Sequence, residues 1–102
     1  MKTTFIEYRP TLRQAIKQWG KDAQIDMLHE EIGELLQAIN KHKRKGTDET
    51  ITNLIEEIAD VEILLEQLKL MINGHAGVEV FKIEKLQRLQ KRLDKDDFEL
   101  ND

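Results

Sequence analysis

Apolar residues recur at i, i+3, i+4 and i+7 along most of this chain, the period of helices that pack along one face. Leu12, Ala15, Ile16 and Trp19 form the first stripe. Thr11 and Gln14 stand where a capping box would open that helix, and Gly20 stops it. Residues 1–10, ending at Pro10, are then expected as a lead-in. A second helix is expected from Asp22 as N-cap, with Ile25, Leu28, Ile32, Leu35, Leu36 and Ile39 as its stripe. Lys41, Lys43, Arg44 and Lys45 suit the negative end of that helix, and Gly46 ends it. The third helix should run from Thr47 or Asp48 to Asn73-Gly74, with Ile51, Leu54, Ile58, Val61, Leu65, Leu68 and Ile72 inward. His75-Ala76-Gly77 reads as a turn before a fourth helix over 78–95, which carries Ile83, Leu86, Leu89 and Leu93. The acidic stretch 94–102 reads as a frayed tail.

No strand pattern, internal repeat or low-complexity segment competes with this assignment. The expected fold is all-α: one four-helix bundle-like domain over residues 1–102, completed by oligomerisation, because short connections bring successive helices side by side. At 102 residues the chain buries only a modest core of its own. A homodimer or homotetramer is therefore expected to cover the apolar excess.

Composition narrows the chemistry. Cysteine is absent, which removes disulfides, thiolate metal sites and thiol nucleophiles together, and serine is absent too. No apolar run approaches the length of about 18–20 residues that spans a bilayer, and no signal-peptide pattern opens the chain. A cytoplasmic protein is expected, with no membrane partner. The net charge of −4 argues against a nucleic-acid partner.

Against that background two acidic pairs stand out. Glu31 and Glu34 are spaced i, i+3 in the second helix, and Glu57 and Asp60 repeat the spacing in the third, with 22 residues between the pairs. At about 100° per residue, Met27, Glu31, Glu34 and Ala38 share a line beside the main stripe. Asn53, Glu57, Asp60, Leu64 and Met71 share a similar line on the third helix. If the two helices form an antiparallel hairpin, four carboxylates converge in a partly sheltered pocket, where like charges raise one another's pKa. A hard divalent cation relieves that conflict. Mg²⁺, or Mn²⁺, takes oxygen ligands and commonly bridges carboxylates to phosphates. The alternative is a solvated acidic face. A di-iron carboxylate bundle is set aside, because no Glu-x-x-His occurs.

The runs Glu-Glu-Ile-Gly-Glu-Leu at 30–35 and Glu-Glu-Ile-Ala-Asp-Val at 56–61 resemble the MazG-type all-α nucleoside triphosphate pyrophosphohydrolases, a superfamily that includes dimeric dUTPases and phosphoribosyl-ATP pyrophosphatases. The resemblance covers about residues 19–93, including the Lys85, Arg88 and Arg92 run. It implies a Mg²⁺-dependent enzyme that splits a nucleoside triphosphate into monophosphate and pyrophosphate, with Glu31, Glu34, Glu57 and Asp60 as metal ligands. Glu30 is then either a second-metal ligand or, like Glu34, a carboxylate that activates water; otherwise it is an exposed helix glutamate. The metal would neutralise the triphosphate and lower the pKa of a water.

Several other residues have two readings each. Lys82, Lys85, Arg88 and Arg92 share one side of the fourth helix and either meet the departing pyrophosphate or form a solvated basic face. Lys41 to Lys45 read as a helix end rather than a phosphate clamp. Trp19 either stacks on a nucleobase or packs in the first helix's stripe. Gln24 and Asn53 either hydrogen-bond substrate or serve as surface or capping amides. The three histidines lack any shared ligand spacing. The competing functional class is a non-catalytic helical dimerisation module.

Overall fold

The computed structural model describes residues 4–101, with side chains from 5 to 96; positions 1–3 of the expected lead-in, and Asp102, lie outside the described residues. Four helices follow in order: α1 (Thr4–Trp19), α2 (Lys21–Lys45), α3 (Asp48–Ile72) and α4 (His75–Asn101). No strand occurs among the described residues, so the all-α expectation holds. The helices fall into two compact units, Met1–Ile72 and Asn73–Asp102.

The connections in the first unit are short because glycine makes them so. Gly20 alone joins α1 to α2, with φ 93° and ψ 152°, a conformation essentially closed to residues with a Cβ. Gly46 ends α2 in the left-handed region (φ 59°), and its N–H donates to the His42 carbonyl at 2.8 Å. Thr47 then caps α3. Its Oγ1 accepts from the Thr50 N–H (3.2 Å), while Thr50 Oγ1 accepts from the Thr47 N–H (3.0 Å). This is a reciprocal box built from two threonines, and His42 Nδ1 pairs with the same Thr50 hydroxyl at 2.8 Å. Thr50→Val should therefore destabilise the fold by about 0.5–1.5 kcal/mol, measured by urea unfolding, because it removes the hydroxyl that bonds Thr47 N–H and His42. An unchanged midpoint would show that the turn needs no such box.

Three boundaries differ from expectation. The first helix begins at Thr4 and runs through Pro10, so Thr11 and Gln14 lie inside it and do not cap it. Proline removes one helical hydrogen bond, to the Ile6 carbonyl, and the remaining turns hold the helix on both sides. Asp22 sits in the first turn of α2, where its charge complements the dipole, and Gly20 is the N-cap. His75-Ala76-Gly77 is the first turn of α4, and that helix continues through the acidic stretch to Asn101. Gln90 donates to Asp94 Oδ1 at 2.9 Å across one turn as the helix enters that stretch.

Within the first unit α2 and α3 form an antiparallel hairpin, and α1 packs on both. The seam of the hairpin holds Leu28, Val61 and Leu64, with Leu35 and Leu68 packed against them. Its two ends are polar: buried Gln24 donates to Gln67 Oε1 at 2.6 Å at one end, and the His42–Thr50 pair closes the other. Near the Gln24–Gln67 end, buried Glu66 attracts Arg9 of α1 (3.7 Å) and Lys69 (3.9 Å), which ties α1 to α3.

The stripe expected to face inward is only half buried. Leu28 and Val61 are buried, but Leu36 (57 % exposed), Ile32, Ile39, Ile51, Ile58 and Leu65 are exposed. The geometry explains why. Each of the exposed residues on α2 and α3 follows a seam position by one, a turn of about 100°. In an antiparallel pair, that turn carries both helices' following positions to the same side. The hairpin therefore has one open apolar side, formed by Ile32, Leu36, Ile39, Ile51, Ile55 and Ile58, and an opposite side formed by the residues that precede the seam.

The second unit is α4 by itself. Ile83, Leu86, Leu89 and Leu93 are exposed along it, and Lys82 pairs with Glu79 at 3.2 Å on its surface. No helix of the described residues is long and apolar enough to cross a membrane.

Candidate metal and nucleotide site

The seam carries acids at its middle because Glu31 falls one turn after Leu28 on α2, and Glu57 one turn before Val61 on α3. Both are half-buried. Asp60, exposed one turn after Glu57, completes a group in which one carboxylate oxygen from each of Glu31, Glu57 and Asp60 lies within 4.8 Å of the others. Of the four acids singled out by spacing, three converge directly. Glu34 is exposed at the rim and shares a groove of about 380 Å³ with Glu57, Lys41 and Asn53.

Glu31 Oε2 and Glu57 Oε2 are both buried with no hydrogen-bond partner. An ionised carboxylate has no donor of its own, so these oxygens call for a proton held between the two side chains, a water or a cation. Glu31 accordingly has its pKa pushed up from 4.5 to about 7. Burial contributes most, followed by the charge of Glu34, a hydrogen bond with Glu57, and the charges of Asp60 and Glu57.

The sign of the stability effect follows. Between pH 4.5 and about 7 the folded chain keeps a proton that the unfolded chain has lost. The metal-free fold therefore loses stability as pH rises through that window. Glu31→Gln removes the repulsion. In the presence of a chelator it should melt several degrees above the parent at pH 8 and near it at pH 5, since about 1 kcal/mol moves a domain of this size by about 4–8 °C. An equal difference at both pH values would contradict the cause assigned here.

The donor set fits a hard divalent cation: oxygens only, three of them converging, with an exposed flank for waters or phosphate. The remaining sequence-derived candidates differ in their surroundings. Glu30 is exposed beside the cluster and outside it. Asn53 is exposed and lines the groove. Gln24 is buried two turns before Glu31, and its amide donates to Gln67. Trp19 is 60 % exposed at the end of α1, so the packing role in that helix's stripe does not hold within the chain. Lys85, Arg88 and Arg92 are exposed on α4, in the second unit. Lys41, which the sequence offers as part of a helix end or of a phosphate clamp, lines the groove. It stands two helical turns beyond Glu34, and that i+7 relation is the signal that points to the groove.

Comparisons of the chain with protein-family models, curated proteins and solved structures returned no match.

Proposed function

We propose that the protein is a Mg²⁺-dependent nucleoside triphosphate pyrophosphohydrolase, converting a (d)NTP and water to the monophosphate and pyrophosphate. The observation that carries the metal is the pair of buried, donorless oxygens on Glu31 and Glu57 within the three-acid cluster. The substrate class rests on the resemblance of residues 30–35 and 56–61 to MazG-type enzymes and on the single cation, Lys41, in the adjoining groove. The substrates would be those of the cytoplasmic nucleotide pool.

Glu31, Glu57 and Asp60 would hold the cation, with Glu34 joining from the rim. When bound, Mg²⁺ supplies charge neutralisation for the phosphates and acidifies water. The chain's own residues do the rest. Water oxygen joins one phosphorus of the α–β bridge, and the bridging oxygen leaves with the bond's electron pair. Glu34, with Glu30 beside it, is exposed where it can accept the water's proton. No protein nucleophile is required, in keeping with the absence of serine and cysteine.

The open apolar side of the hairpin would be covered by a second copy of the chain. A contiguous apolar surface rimmed by polar residues is typical of a protein interface. That same side supports the second reading, a helical dimerisation module without catalysis. A panel of canonical and modified (d)NTPs with Mg²⁺, with products resolved by anion exchange, separates the two readings. Monophosphate and pyrophosphate in equal amounts are expected. No turnover of any member would leave the dimerisation module.

A further inference from the structure

Lys41 lines two adjoining grooves. One, of about 380 Å³, also touches Glu34, Gln37, Asn53 and Glu57; the other, of about 280 Å³, extends past Thr47, Thr50 and Asn53 to Lys45. We propose that Lys41, with Asn53 beside it, forms the subsite for the pyrophosphate end of the substrate, so that the terminal phosphates lie toward the α2–α3 turn. This assignment rests on the hydrolase reading for its substrate and on the groove for its position.

Three observations support it. Among the described residues, Lys41 is the only cation lining the groove that holds Glu34 and Glu57. Among the described residues it has no ion-pair partner, so its charge is not already used by the neighbouring acids. It also lies seven residues beyond Glu34, about 10 Å along the helix axis. Helical side chains lean toward the N-terminus, which tips Lys41 toward the carboxylates and not away from them. That distance suits a chain of phosphates anchored at one end by the acids. Local dipoles do not decide the matter, because the negative end of α2 and the positive start of α3 meet at this groove and oppose one another. Glu49, at the outer groove, sets a limit on how far an anion extends toward Lys45.

The test is calorimetric titration with inorganic pyrophosphate and, separately, with a nucleoside monophosphate, both with Mg²⁺. Lys41→Gln should weaken pyrophosphate binding about tenfold or more and leave monophosphate binding within about twofold, whereas Lys41→Arg retains most of the affinity. Mg²⁺ binding without any anion should be unchanged. Lys43→Gln, which removes the same charge from the same helix outside both grooves, should have no effect. Equal loss for both anions, or a matching loss in Lys43→Gln, would overturn the subsite in favour of general charge attraction. Undiminished pyrophosphate binding in Lys41→Gln would overturn it too, while leaving hydrolysis intact. Lys41-dependent pyrophosphate binding in a protein that hydrolyses no triphosphate would keep the subsite and remove the hydrolase reading.

Discussion

Glu57→Gln is expected to lower pyrophosphate release by on the order of a thousandfold while the circular dichroism stays fully helical. Gln keeps the shape of the side chain and removes the charge. Glu57 is half-buried in the seam, with one oxygen lacking any donor, and it belongs to the three-acid cluster. The loss follows from charge stabilisation worth several kcal/mol, at about 1.4 kcal/mol per tenfold. Asp60→Asn should behave alike. Glu34→Gln should also abolish turnover, although Glu34 stands at the rim, because it lines the groove and adds its charge to Glu31. The fold should survive each change, since all three remove like-charge repulsion and no apolar contact. Release at the parent's rate in these variants would end the catalytic account.

Leu36→Glu or Ile55→Glu should convert a dimer or larger assembly to monomer, with the dimer dissociation constant raised by on the order of a thousandfold. A symmetric interface presents each residue twice, so one charge that costs about 2 kcal/mol to bury counts double. Leu36 and Ile55 are 57 % and 61 % exposed on the open apolar side, so neither change empties the hairpin's own seam. Light scattering and circular dichroism together separate dissociation from unfolding. Arg44→Glu, exposed and turned about 80–140° around α2 from Leu36, Ile32 and Ile39, should leave the assembly intact. A parent chain that scatters as a stable monomer would contradict the role assigned to that side.

Helix ends were legible where chemistry admits one solution: Gly20 and Gly46 at positive φ, and Asn73 at φ 51° after α3. The acidic pairs were legible because i, i+3 spacing places both members on one side of a helix. What periodicity did not reveal is which of two adjoining faces the hairpin closes on. The Leu28–Leu35 line and the Ile32–Leu36–Ile39 line differ by one residue, or about 100°. Both are apolar, and an interface between copies uses the same residue types as a core. The more hydrophobic line is the open one. The seam tolerates Gln24, Glu31, Glu57 and Gln67 because each polar side chain meets another across it. Pro10 misled for a related reason. Proline is a strong boundary signal on average, and its cost here is one hydrogen bond within a 16-residue helix tied to α3 through Arg9 and Glu66.

Glu31, Glu57 and Asp60 are expected to close on one divalent cation. Calorimetric titration of the metal-free protein with Mg²⁺, set beside the same titration of Glu57→Gln, tests it without requiring any substrate. Saturable binding in the parent that disappears in the variant is the result predicted here. Equal titration curves, or heats no larger than dilution in both, would contradict it.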